Sequence, residues 1–294
     1  MIKTVAFWMV LAAATLALPQ QPARSLQVFA PGVISGRDVF GVTFTKDGKT
    51  VYFCETDKDI QHIQIMVSHL ANGKWSEPTP ASFSPGTFRD IDPFVIPDGR
   101  HLIFESNRPA PGRDASRTDF DAYILDLADL NSTPVALTAI NTQSNEVFVS
   151  SSANGDLYFS SDRAGGEGNN DLYWAKKTRS GHEKAINLKA MNTAASEGNP
   201  AIAPSGSLLI FVRDGDLYSN EKIHGEWGSP EKLAVVNTTD ETEYAPAFSP
   251  DGKTLYFTRT VFKDGKRITP GTIYSVPLRD LGLTDRRIAQ LLPM

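Results

Sequence analysis

The sequence predicts an all-β chain folded as a five-bladed β-propeller of four-stranded blades. Three observations carry this. A strand-turn-strand phrase recurs five times, as FTKDGKTVYF (44–53), VIPDGRHLIF (95–104), SSANGDLYF (151–159), IAPSGSLLIF (202–211) and FSPDGKTLYF (248–257). Its anchoring glycines, Gly48, Gly99, Gly155, Gly206 and Gly252, lie 51, 56, 51 and 46 residues apart. A hairpin repeat with a period of about 50 residues marks propeller blades. Two further strand signals follow the hairpins, which gives four strands per unit. What repeats is expected to be scaffold, and what differs between units is where function is expected.

Each phrase reads as an apolar strand, a tight turn and a returning strand. In FSPDGK the Pro250 ring presets φ for the first central turn position, Asp251 tolerates the second, and Gly252 takes the left-handed conformation that closes the hairpin. Pro97-Asp98-Gly99 and Pro204-Ser205-Gly206 repeat this chemistry. The returning strands carry aromatic pairs, Tyr52-Phe53, Tyr158-Phe159 and Tyr256-Phe257, which suit a pleated surface packed on both faces. The third strand opens with Asp and an apolar-aromatic pair in Asp171-Leu172-Tyr173 and Asp216-Leu217-Tyr218, and closely in Asp121-Ala122-Tyr123. The fourth is marked twice by GxWxxP, at 73–78 and 225–230.

Two columns precede the hairpins. Asp90, Glu146, Glu197 and Glu243 stand nine residues before their glycines, with Val39 in that place in the first unit. Further upstream is an apolar-Asn-Thr step at Ile140-Asn141-Thr142, Met191-Asn192-Thr193 and Val236-Asn237-Thr238.

The ends predict how the ring closes. FAPG (29–32) echoes FSPG (83–86), so residues 25–29 read as a fourth strand without a blade of its own. Residues 272–276 read as a third strand without a fourth. Joining them removes two open edges and leaves five blades with no remainder. A six-bladed ring is the alternative and needs one blade that has lost its phrase. The propeller is expected over 25–280, and the tail 281–294 as a short amphipathic helix.

The stretches ETEYAPAFSPDGKTLYF (241–257) and SSDRAGGEGNNDLYW (160–174) resemble the TolB-like propeller family, also called WD40-like repeats with a Pro-Asp signature. The resemblance spans nearly all of 25–280. The third unit departs from it, having no proline before its turn. The resemblance implies the fold and leaves function open, because the family spans periplasmic scaffolds, protease accessory domains and some lyases.

Lys3 followed by VAFWMVLAAATLAL (5–18) and a Pro/Gln-rich patch reads as a signal peptide over 1–23, short for a membrane span. A periplasmic or secreted monomer is therefore expected. The single cysteine, Cys54, excludes an internal disulfide and reads as a buried apolar filler. The net charge of −5 becomes −6 when Lys3 is lost with residues 1–23. That balance argues against nucleic acid and anionic membrane surfaces as partners.

The five histidines, His62, His69, His101, His182 and His224, show no HxH or HExxH spacing. No P-loop, GxSxG or dinucleotide fingerprint is present, and no cofactor is expected. Gly165-Gly166-Glu167-Gly168 precedes a strand rather than a helix and reads as a loop. The acidic column admits two uses. Recurring in four of five units, Asp90, Glu146, Glu197 and Glu243 read first as a repeated structural device, with Arg108 and Arg163 as partners. If the chain is an enzyme, the same acids at a channel mouth are the catalytic candidates, since glycoside hydrolysis needs two carboxyls at about 5–10 Å. The loops at 107–120, 162–171 and 259–271 differ between units and share the column's face. Their cations Arg108, Arg113, Arg117, Lys263, Lys266 and Arg267 are the candidate partner-binding residues. Asp162, Glu167 and Asp171 are the weaker calcium candidates, without a known calcium-loop spacing. The sequence thus favours a non-catalytic binding or scaffold module for a protein or an envelope polymer, with a carbohydrate-active hydrolase or lyase as the alternative.

Overall fold

The structure is a computed structural model that describes residues 25–109, 114, 116–263 and 266–283. The expected signal segment and most of the expected tail helix lie outside the described residues. Five small antiparallel sheets form the ring, and the six-bladed alternative falls. Blade one is Val39–Phe44, Thr50–Thr56, Ile63–Ala71 and Thr79–Pro80. Blade two is Asp90–Val95, His101–Ser106, Asp121–Asp126 and Val135–Ala136. Blade three is Glu146–Ser151, Leu157–Ser161, Asp171–Ala175 and Ile186–Asn187. Blade four is Glu197–Ile202, Leu208–Arg213, Asp216–Ile223 and Glu231–Lys232. Blade five is Thr242–Phe248, Thr254–Thr260 and Thr272–Pro277, completed by Gln27–Val28.

The closing strand is the predicted one. Gln27 pairs with Ser275 and Val28 with Tyr274, antiparallel. Phe29 donates its N–H to the Ile273 carbonyl at 2.8 Å. Its ring meets Phe44, Trp75 and Tyr256 edge-on or nearly so, at 5.7, 5.7 and 5.2 Å. The first strand therefore seals blade five against blade one by ladder and by packing.

The GxWxxP signal marks a broken fourth strand. Trp75 and Trp227 pair with the far ends of the third strands, at Leu70 and Lys222. Pro78 and Pro230 then interrupt, having no N–H to give, and pairing resumes at Thr79 and Glu231.

Each blade's third strand is also held by a side chain from the chain segment leaving that blade. Asn141 accepts from the Ala122 N–H at 2.9 Å and donates to the Ala122 carbonyl at 3.0 Å. Asn192 does the same to Leu172, and Asn237 to Leu217. Ser35 takes this place at Ile273, and Ser84 at Ile65. An amide side chain can imitate one residue of a strand, which is why the apolar-Asn-Thr step repeats.

Buried apolar residues fill the spaces between neighbouring sheets. Ile210 and Leu217 of blade four, for example, pack with Leu255 and Phe257 of blade five. A 3-10 turn, Leu278–Leu281, ends the described chain and stops at Gly282, whose φ of 72° is left-handed.

Candidate functional site

The acidic column opens the innermost strands of blades two to five, and all four side chains are fully buried. Each is gripped by an arginine. Asp90 meets Arg108 at 2.7 Å, Glu146 meets Arg163 at 2.9 Å, Glu197 meets Arg213 at 2.7 Å and Glu243 meets Arg259 at 3.0 Å. The three glutamates also accept from a threonine of the Asn-Thr step, both N–H and hydroxyl: Thr142, Thr193 and Thr238.

Each arginine further donates to a carbonyl of the incoming chain, at Phe83, Ile140, Met191 and Val236. Its plane lies over the blade's cross-strand aromatic pair. Arg163 stands 5.0 Å from the Phe159 ring centre and 4.7 Å from that of Tyr173. Arg108, Arg213 and Arg259 repeat this over Phe104–Tyr123, Phe211–Tyr218 and Phe257–Tyr274. The device clips each blade to the segment arriving from the previous one. Burial raises the Glu146 and Glu243 pKa values even so. None of the four acids lines the central cavity.

Blade one inverts the pair. Its acid is Glu55, opposite Val39, and Arg37 reaches it from the incoming chain at 2.9 Å.

The rim cations separate into two groups. Lys263 and Lys266 are exposed on a two-stranded hairpin. Arg108 and Arg267 are not free rim charges. Arg108 is in the blade-two clip. Arg267 has only 3% of its side chain exposed; it sits 3.0 Å from Asp38 and donates to the Asp57 carbonyl at 2.7 Å. It adds a side-chain tie between blade five and blade one to the covalent link through residues 29–38. Arg117 pairs with Asp119 and donates to the Thr142 carbonyl. Arg113 lies outside the described residues.

The calcium candidates do not converge. Asp162 accepts from Asn145, Glu167 faces Lys189 at 3.9 Å, and Asp171 accepts from the N–H groups of Glu167 and Gly168. No cluster of three metal-ligating side chains occurs among the described residues. Two glycines in this loop answer to crowding: a Cβ on Gly168 would stand 1.8 Å from the Ala195 carbonyl oxygen and one on Gly166 2.5 Å from Asp171 Oδ2, while Gly165 has open space and a left-handed φ of 92°.

The central channel carries the features that the sequence did not announce. Two residues after the column position in each innermost strand the backbone turns left-handed: Gly41, Asp92, Phe148, Asn199 and Ala245, with φ of 57°, 50°, 54°, 52° and 49°. Ladder pairing skips at each of these places, so all five innermost strands are bulged. Pro93, Pro200 and Pro246 follow three of them and fall within the skipped register.

Amides released by the bulges find side chains from the neighbouring blade. Gly41 donates to Thr258 Oγ1 at 3.2 Å, Asp92 to Cys54 Sγ at 3.2 Å, Val149 to Glu105 Oε1 at 3.2 Å and Ala245 to Asn199 Oδ1 at 2.9 Å. Cys54 is thus a hydrogen-bond acceptor as well as the expected core filler.

From the bulges to the Asp-Gly turns the channel holds a cavity of about 260 Å³. It opens on the turn face, away from the long loops. Its walls are mainly apolar, with Phe94, Phe148, Phe248, Pro97, Pro204 and Pro250 among them. Asp92 stands at its inner end, 5% exposed, and neither carboxyl oxygen has a hydrogen-bond partner among the described residues. The Phe148 N–H lies near enough to favour its anion without meeting hydrogen-bond geometry. Burial pushes the Asp92 carboxyl up to about 8 and, together with the charge of Asp92, moves Glu105 well above its usual range. Burial raises the Cys54 thiol as well.

No family model and no curated protein matches the sequence. Solved structures do. A protein assigned as TolB from Agrobacterium tumefaciens is similar at 14% identity and TM-score 0.54, over 83% of this chain and 78% of that one. A thermostable family-43 glycoside hydrolase is similar at 8% identity and TM-score 0.57, over 87% and 94%. The gluconolactonase XC5397 from Xanthomonas campestris is similar at 10% identity and TM-score 0.51, over 90% and 98%. At these identities the likeness shows the propeller fold alone, which serves a TolB and enzymes equally. No helix of the described residues is long and apolar enough to cross a membrane.

Proposed function

We propose that this chain is a TolB-like, periplasmic or secreted propeller that works as a non-catalytic binding module for a protein or an envelope polymer. The observation that carries this reading is the use of the acidic column. All four carboxylates are spent on arginine clips, and none reaches the cavity. The acids best placed by sequence for hydrolysis therefore serve the ring. The partner-facing cations left on the loop rim are Lys263 and Lys266, with Arg113 as a further candidate.

One observation favours the enzymatic alternative. Asp92 and Glu105 break the repeat and interact deep in the ring. Yet Glu105 does not line the cavity and holds the Val149 amide. A two-carboxyl hydrolysis needs both groups on the substrate, and apolar walls offer few partners for sugar hydroxyls. Binding remains the better reading.

The test is capture by the immobilised chain from two envelope fractions, one protein and one purified polymer, followed by reconstitution with the retained component. Retention that weakens with salt supports the reading. Turnover of an aryl-glycoside or lactone panel, with no retained component, would overturn it.

A further inference from the structure

The channel cavity has one feature that neither the clips nor the bulges require. Four of the five bulge residues are uncharged: Gly41, Phe148, Asn199 and Ala245. The fifth is a carboxyl. Asp92 is buried, both its oxygens lack a hydrogen-bond partner among the described residues, and it stands at the inner end of a cavity walled largely by proline and phenylalanine. A buried polar group without a partner is costly and is retained where a ligand completes it. Gly41 leaves methyl-sized room beside the carboxyl: a Cβ there would just touch Ala245 Cβ at 3.8 Å and Asp92 Oδ1 at 3.9 Å.

We infer that the channel is a binding site for a small apolar molecule bearing a protonated amine, whose ammonium group takes Asp92 as its counter-ion while its hydrocarbon part fills the cavity. The inference does not rest on the partner-binding reading, which concerns the opposite face.

The chemistry of the surroundings selects this class. No set of three ligating side chains occurs among the described residues, so a metal ion would lack its shell. Apolar walls with one oriented polar group are the usual make-up of a small-molecule pocket, and the volume of about 260 Å³ suits a small ligand rather than a polymer. The titratable groups facing Asp92 are Glu105 from its own blade, Cys54 from blade one and Tyr244 from blade five. Asp90 acts on Cys54, and the Arg267–Asp38 pair acts on Tyr244. No cation is among the groups that set the Asp92 ionisation, and Lys46 stands exposed at the other end of the cavity. The site therefore lacks an internal positive charge and a ligand can supply it. Because Asp92 holds its proton up to about pH 8, an ammonium ligand displaces that proton on binding.

The experiment is calorimetric titration of the whole chain with benzylamine and hexylamine, each against its alcohol, benzyl alcohol and hexanol. The amines are expected to bind at least about tenfold more tightly than the alcohols. Their affinity should rise by up to about tenfold per pH unit between pH 6 and 8, with heats that change with buffer because a proton leaves. Asp92→Asn, checked first for its melt, should erase the advantage of amine over alcohol. Ala153→Trp, at the exposed mouth, should block both. Equal affinity of amine and alcohol, an unchanged amine affinity in Asp92→Asn, or no saturable amine binding at any pH overturns the inference. The pH series on the unaltered chain decides the matter even if Asp92→Asn folds poorly.

Discussion

Arg259 stands directly opposite Glu243 on the adjacent strand, its Nε 3.0 Å from the carboxylate, with its plane 4.8 Å from the centre of the Tyr274 ring. The same guanidinium holds the Val236 carbonyl at 2.6 Å. One side chain thus joins the first strand of blade five, its second and third strands, and the segment arriving from blade four. A planar fork of donors can do this, and a lysine cannot. The arrangement explains why an acid recurs at the start of four innermost strands in a chain with no evident use for four catalytic acids.

Closure should be costly to remove. Deleting Ser25–Phe29 exposes the edge of Thr272–Pro277 and empties the site of the Phe29 ring. With a total margin of about 5–15 kcal/mol, a large fall in the urea midpoint is expected. An unchanged midpoint would show that blade five does not need its outer strand.

The channel carboxyl should make stability depend on pH in a set direction. In the folded chain Asp92 keeps its proton up to about pH 8, while in the unfolded chain it loses it near the ordinary value of 3.8. The folded state then binds more protons, so stability falls as pH rises from about 4 to about 8. Glu105 is shifted in the same direction and leaves part of this slope in place. Asp92→Asn should raise the melting temperature at pH 8 by about 2–6 °C, a gain of about 1–2 kcal/mol, and much less at pH 4.5. A variant less stable than the parent at both pH values would contradict the buried, unpartnered placement.

The fold was legible because five weak copies of one phrase reinforce each other. Pro-Asp-Gly sets a turn by local chemistry, and the period does the rest. Even so, the echo of FAPG and FSPG led to the right strand through an inexact register: Phe29 takes the place of Ala81, not Phe83, since Phe29 and Ala81 donate to the third-strand residues Ile273 and Ile65. The clip was half legible. Arg108 and Arg163 follow a serine in the loop, whereas Arg213 and Arg259 lie inside the strand, 16 residues after their acids instead of 18 and 17. A shared role reached from two positions leaves no fixed spacing to read. Arg267 looked like a rim charge beside Lys263 and Lys266, but its guanidinium folds back onto Asp38 and the Asp57 carbonyl at the junction of blades five and one, a long-range contact that local sequence does not display. The channel was not legible. A left-handed bulge occupied by Gly, Asp, Phe, Asn or Ala has no common side chain, and only the prolines after three of them hint at it.

The rim lysines should act by charge alone. Replacing Lys263 and Lys266 with glutamine should leave the melt within about 0.5 kcal/mol, because both are exposed. It should also weaken capture of an acidic partner and flatten its salt dependence. Unchanged capture, with loss on substituting the turn residues beside Gly48 and Gly252, would move the partner to the turn face.

The most direct measurement is a denaturation series across the acidic column. Asp90→Asn, Glu146→Gln, Glu197→Gln and Glu243→Gln each weaken a buried, charge-assisted clip, and an amide keeps part of the bonding. Each should therefore destabilise by a similar, modest amount, less than the about 1.5–3 kcal/mol of a whole charge-assisted bond, with partner capture intact in the folded fraction. If one substitution instead stabilises the chain and abolishes turnover of a glycoside or lactone, that acid is catalytic and the scaffold account of the column is wrong.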